Sequence, residues 1–233
     1  MEKKSEMTPQ EKKSLIKKTL VRFSLLPVVL GLLVLLPAGT LSYWQLYLYL
    51  GTLVVPMILV LFYFLRVDPR FLERRNRAKE KEKQQVLIGR LSSLIFLAGF
   101  IIPGLDYRFS WSQVPAFMSI SADIVILLGY LIVFFVFRQN SYASRIIEVE
   151  EEQKVISTGL YGIVRHPMYV GVLIMFIPTP VALGSYWGLI PFALFPLSLA
   201  LRILNEEKVL SANLKGYKEY CQKTKYRLIP FLW

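Results

Sequence analysis

Residues 44–65 read Trp44-Gln-Leu-Tyr-Leu-Tyr-Leu-Gly-Thr-Leu-Val-Val-Pro-Met-Ile-Leu-Val-Leu-Phe-Tyr-Phe-Leu65, an apolar run with no charged side chain. As a helix, about 20 such residues span the hydrocarbon core of a bilayer. A helix also satisfies its own backbone polar groups, which lipid cannot do. The stretch is therefore read as a membrane span. Outward from it lie five further apolar segments, at 23–38, 91–103, 115–137, 167–183 and 186–203. The segment at 91–103 is short, and an interfacial helix beginning near Val86 is expected to lead into it. The last two segments are separated by Gly184-Ser185, which predicts a tight hairpin. The fold class expected is thus an all-α integral membrane protein of about six transmembrane helices with a C-terminal helical hairpin.

Composition agrees. Of 233 residues, 55% are hydrophobic, more than soluble domains usually carry. The polar, Lys-rich first 22 residues do not look like a cleavable signal peptide.

Charge placement sets the expected orientation. Of 28 Lys and Arg residues, 7 fall in 1–22, 9 in 66–90, 4 in 138–165 and 7 in 202–233. With six spans these stretches share one side, and only Arg108 falls on the other. Basic loops stay in the cytoplasm, so a multi-pass protein with both termini cytoplasmic is expected. Topology then accounts for the net charge of +12, and no nucleic-acid partner is expected, although a basic patch alone can mark one. A lone cysteine, Cys221, and a lone histidine, His166, offer neither a disulfide nor a metal cluster, so no metal is expected.

Three regions follow. Residues 1–22 form a basic cytoplasmic segment, mobile or interfacial. Residues 23–137 form a four-helix membrane region with a charged cytoplasmic loop at 66–90, which includes Glu80-Lys81-Glu82-Lys83. That loop is read as a solvated helix facing lipid headgroups. Residues 138–233 hold the last two spans and a tail able to close as a lid. The outer loop Gly104-Leu-Asp-Tyr-Arg-Phe-Ser-Trp111 carries interfacial aromatics. Asp123 lies inside the fourth segment, where an ionised carboxylate is costly; it is read as structural, hydrogen-bonded within the bundle. Pro178, Pro180, Pro191 and Pro196 interrupt the last pair of spans and leave room for a cavity.

The chemistry-bearing stretch runs Glu150-Glu-Glu-Gln153-Lys154-Val155-Ile156-Ser-Thr158-Gly159-Leu-Tyr161-Gly-Ile-Val-Arg165-His166-Pro167-Met168-Tyr169-Val-Gly171. Pro167 suits the first turn of a helix, whose N-terminus offers free N–H groups and partial positive charge. Each residue also has a plain reading: Arg165 as a topology signal, His166 as a helix end, Tyr161 and Tyr169 as interfacial anchors. A second cluster, Arg202-Ile-Leu-Asn-Glu206-Glu207, closes the sixth span. Arg202 and Glu206, four apart on one face, can pair with each other or serve a ligand. The tail follows with Gly216-Tyr217-Lys-Glu-Tyr220 and Tyr226-Arg227-Leu-Ile-Pro230-Phe.

On these residues, from about Asn140 to Pro230, the sequence resembles the isoprenylcysteine carboxyl methyltransferase family, relatives of the phospholipid methyltransferases. The resemblance implies S-adenosylmethionine as methyl donor and a cytoplasmic cofactor pocket. By position it implies cofactor contacts from Gln153, Lys154, Val155, Ile156, Tyr161, His166, Pro167, Met168, Tyr169 and Glu206. Arg202 is implied on the substrate side, so that Arg202 and Glu206 form the catalytic pair. Gln153-Lys154 departs from the eukaryotic enzymes' residues there. The expected partners are membrane lipids and an amphiphilic or prenylated acceptor. Three alternatives remain open at the level of sequence: a phospholipid amine N-methyltransferase, an NADPH-dependent reductase of the sterol-reductase type, and a non-enzymatic membrane protein.

Overall fold

The computed structural model describes residues 8–77, 80, 82–147, 149–150 and 153–233. Residues 1–7, Lys81, Glu151 and Glu152, named in the expectations above, lie outside the described residues. Every regular element among the described residues is a helix. In chain order they are α1 (Pro9–Ala38), α2 (Trp44–Val67), α3 (Pro69–Asn76), α4 (Lys83–Phe109), α5 (Ala116–Gln139), α6 (Leu160–Ile163), α7 (Pro167–Phe176), α8 (Thr179–Ala182), α9 (Leu189–Phe192), α10 (Phe195–Asn213) and α11 (Tyr217–Lys223). Five stretches are long and apolar enough to cross a membrane, the last combining α9 and α10; the shorter apolar stretch Pro167–Ala182 precedes it. The protein is an all-helical, multi-pass membrane protein.

Several boundaries differ from expectation. The Thr8 hydroxyl accepts from the Glu11 N–H, and Glu11 reaches back to the Thr8 N–H. This capping box starts α1 early, and one continuous helix runs from Pro9 through the first span. The charged residues from Glu11 to Arg22 are thus part of this helix. The short third segment is part of the 27-residue α4, because Gln84, Gln85 and Arg90 continue the helix beyond the apolar window. Residues 104–109 of the predicted outer loop are the last turns of that helix.

The two ends of the bundle are distinct. At one end the Arg22 side chain reaches Asn76, Arg74 pairs with Glu150 at 3.1 Å and Arg165 pairs with Glu207 at 2.7 Å. The four basic stretches therefore meet at the same end. At the other, the Tyr43 hydroxyl donates to Leu183 O, and Asp106 accepts from Ser112 N and from the Ser112 and Ser185 hydroxyls. These bonds pin the tip of the predicted hairpin. Arg108 lies at this end, against Gly39.

Close helix contact positions the site. A Cβ added at Gly129 of α5 would sit 2.7 Å from the Gly171 carbonyl oxygen of α7. Only glycine permits that approach, a common device between membrane helices. It fixes α7, and hence His166 and Tyr169, against α5.

Three expectations are corrected here. The charged loop is not simply solvated. Asp68 caps α3 by accepting from Phe71 N, Phe71 and Leu72 are buried, and Arg74 and Arg75 donate to Ser141 O and Ser144 O. The apolar pair supplies burial and the arginines reach across, so α3 braces the 140–150 loop. Asp123 is buried, but neither carboxyl oxygen has a hydrogen-bond partner among the described residues; the Thr52 side chain of α2 is its polar neighbour. The proline breaks are closely packed, because an added Cβ at Gly188 would meet Pro180 at 2.9 Å and Pro103 at 3.1 Å.

Candidate active site

The site is built at the basic end by one turn, the mouths of two helices and the tail. Gly159 takes a left-handed φ of +60°, and an added Cβ would lie 2.7 Å from the Gln139 amide. The same side chain accepts from Leu160 N at 3.1 Å. This turn presents Tyr161, whose hydroxyl accepts from Asn140 Nδ2 at 2.9 Å. Burial is the main cause that pushes the Tyr161 hydroxyl up to about 12; Asn140 opposes the shift and Glu206 adds to it.

His166 occupies the N-cap of α7 and Pro167 its first turn, as the motif predicts. The tail docks on this entry through its backbone. Arg165 N donates to Tyr226 O and His166 N to Arg227 O, both at 2.9 Å. The Arg165 guanidinium donates to Thr224 O and Lys225 O.

Glu207 gathers these parts. Its Oε1 takes Arg165 Nε at 2.7 Å and lies 3.2 Å from His166 Nε2; its Oε2 takes Arg227 Nε at 2.9 Å. A carboxylate can only accept, so His166 Nε2 carries the proton in this contact. Glu207, Arg165 and His166 are nearly out of water, with side chains 12%, 7% and 5% exposed. A charge removed from water needs such partners. Sequence reasoning left Glu207 and Arg227 out of the site, although Glu207 stood beside Glu206 in the quoted motif.

Arg202 and Glu206 form no direct ion pair. Tyr169 stands between them: its hydroxyl donates to Glu206 Oε2 at 2.6 Å and accepts from Arg202 Nε at 2.9 Å. Arg202 also donates to Gln85 Oε1 at 3.2 Å and Arg145 O at 2.9 Å. Those three bonds leave two of its five N–H groups. Glu206 Oε1 has no protein partner among the described residues. Of the two readings left open for this spacing, the direct i, i+4 pair is not formed, because α7 inserts a phenol between the two side chains.

One cleft brings the predicted residues together. Gln153, Lys154, Val155, Ile156, Tyr161, His166, Pro167, Met168, Tyr169, Arg202 and Glu206 all line it. So do Asn140, Leu210, Leu214, Tyr217 and Tyr220, which were not assigned contacts. The Tyr217 hydroxyl is buried with no hydrogen-bond partner among the described residues. Burial, then Glu207, pushes that hydroxyl upward. The Tyr220 hydroxyl donates to Tyr161 O at 2.8 Å and joins α11 to the turn. Beyond the cleft, Arg75 donates to Ser144 O, and burial pushes its guanidinium down to about 10.

The fold and this cleft define a helical membrane protein with a polar site at one end of its bundle. Residues 117–216 match the family described as phospholipid methyltransferase. The chain is also similar to a solved structure of a eukaryotic intramembrane Ras methyltransferase, isoprenylcysteine carboxyl methyltransferase. That likeness has a TM-score of 0.51 and 21% sequence identity, and covers 88% of this chain and 74% of the other. The family resemblance read from the motif is thereby borne out.

Proposed function

We propose that the cleft binds S-adenosylmethionine and that the protein transfers its methyl group to a lipid-like acceptor, a carboxylate such as that of a prenylated cysteine. The residues present fit such a donor. Glu206 offers an unpaired carboxylate oxygen to an ammonium group, and Tyr217 offers an unpaired buried hydroxyl. Val155, Ile156, Leu210 and Leu214 supply apolar wall for an adenosyl group. Gln153, Lys154, Tyr161, His166, Pro167 and Met168 complete it. When bound, the donor supplies a methyl group on a sulfonium, open to in-line displacement.

The protein's contribution is mostly positioning, which can provide much of a barrier reduction. The two remaining N–H groups of Arg202 match the two oxygens of a carboxylate. Tyr169 holds Arg202 and Glu206 at a fixed separation and so sets acceptor against donor. A carboxylate is already ionised at neutral pH and needs no base. By the positive-inside rule the basic end, with both termini and the cleft, faces the cytoplasm. A soluble donor then enters from water and the acceptor from the bilayer.

The observation that carries this reading is the Arg202–Tyr169–Glu206 chain at the wall of the cleft. A phospholipid amine acceptor is the second reading, favoured by the family match over residues 117–216. An amine must first lose a proton, and His166 Nε2 is committed to Glu207, so the carboxylate is preferred. Calorimetric titration of the detergent-solubilised protein tests the donor. Saturable binding of S-adenosylhomocysteine, lost in Glu206→Ala, is expected. Binding of NADPH alone would overturn the reading in favour of a reductase.

A further inference from the structure

A second groove lies on the other face of α10, where α4 crosses it. It offers about 360 Å³ and is lined by Gln84, Leu87 and Ile88 of α4 and by Leu201, Leu204, Asn205 and Lys208 of α10. That volume falls in the range of small-molecule sites, roughly 300–1,000 Å³. Leu87, Leu201 and Leu204 are exposed there, at 60%, 44% and 47%. Order along the groove matters. Gln84 and Lys208 lie toward the basic end of the bundle, and the apolar residues lie deeper along both helices. Asn205 is 8% exposed and its Nδ2 has no acceptor among the described residues. A buried amide donor left unpaired is costly, and here it borders an open groove. The one charged lining residue is a cation, because Glu207, its chain neighbour, turns away to Arg165, His166 and Arg227.

We propose that this groove holds an anionic phospholipid. One acyl chain lies along Leu87, Ile88, Leu201 and Leu204, and acidic headgroup oxygens take Lys208 and the Asn205 amide. The apolar-to-cationic order matches the order of groups in such a lipid, and Lys208 selects acidic over zwitterionic headgroups. The groove is separate from the catalytic cleft but connected to it. Gln85, next to Gln84, exchanges hydrogen bonds with Arg202: Gln85 Nε2 donates to Arg202 O at 3.1 Å, and Arg202 donates back at 3.2 Å. Lipid in the groove thereby stiffens the α4–α10 contact that holds Arg202.

The test uses the whole protein in detergent, titrated with phosphatidylglycerol or with phosphatidylcholine of the same acyl chains. Apparent Tm and bound lipid by native mass spectrometry are the readouts. Phosphatidylglycerol is expected to raise Tm by several degrees more than phosphatidylcholine. Lys208→Gln is expected to raise the half-saturating concentration about fivefold. Leu204→Trp, which fills the groove without touching the headgroup contacts, is expected to abolish the difference between lipids. Equal effects of both lipids, or a full phosphatidylglycerol preference in Lys208→Gln and Leu204→Trp, would overturn the proposal. Variants are compared only where their Tm in phosphatidylcholine matches the parent, and Lys208→Gln, on an exposed side chain, keeps the test available if Leu204→Trp misfolds.

Discussion

Arg202 and Glu206 stand one turn apart on α10 and are joined through the Tyr169 hydroxyl rather than to each other. A direct ion pair would neutralise both groups. The interposed phenol keeps each oriented and leaves two N–H groups of Arg202 and one oxygen of Glu206 available to ligands. Tyr169→Phe should therefore weaken S-adenosylhomocysteine binding about tenfold, or about 1.4 kcal/mol. It should also lower stability by about 2 kcal/mol, since two hydrogen bonds to charged groups are lost. Calorimetry and thermal unfolding check the two parts separately. Unchanged affinity would mean that the phenol is only packing.

Glu207 collects three cationic or proton-donating side chains and thereby fastens the tail. Glu207→Ala should destabilise the protein by about 3 kcal/mol, because Arg165 is left buried without its counter-charge. The tail should also be released, with trypsin cutting after Lys225 and Arg227 at concentrations that leave the parent intact. Continued protection in a variant that folds would assign the tail's docking to its backbone bonds alone.

The α5–α7 contact makes a packing prediction. Gly129→Ala forces a methyl group to 2.7 Å from the Gly171 oxygen and the Met175 side chain. An overpacked contact of this kind typically costs about 1–3 kcal/mol. Gly51→Ala serves as the control, because an added Cβ there meets nothing within 4 Å. Apparent Tm should fall in the first and hold or rise in the second.

Cys221 makes a pH prediction. Burial raises its thiol above the ordinary range, Arg165 opposes the shift, and Glu207 adds to it. A group raised on folding stabilises the folded state below its unfolded pKa, and that contribution is lost as pH rises through the folded value. Alkylation by iodoacetamide should therefore reach its midpoint above that of a free thiol. The Tm of the parent should fall with alkaline pH more steeply than that of Cys221→Ser.

The apolar spans and the shared basic end were legible in the sequence, because hydropathy and charge encode them directly, while the meeting of the histidine motif with Arg202 and Glu206 followed from the family resemblance. Helix starts were less legible. Capping by Thr8 and continuation through Gln84 and Gln85 depend on local bonds that an apolar window ignores. Glu207 was legible as a residue but not as a partner: its role requires α7 and the tail to converge, which no single segment specifies. Gln85 and Arg145, which hold Arg202, carry no local pattern at all. The bracing role of α3 was hidden for a similar reason, since Arg74 and Arg75 look like headgroup contacts until the 140–150 loop lies beside them.

Methyl transfer to a lipid-like carboxylate is tested by incubating the protein with donor tritiated on the methyl group and a prenylated cysteine bearing a free carboxylate. The prediction is tritium incorporated into the lipid fraction and released by mild alkali, as a methyl ester requires, with loss of signal in Arg202→Ala. Alkali-stable tritium in phospholipid amines, or no transfer to either acceptor by protein that binds the donor, would contradict it.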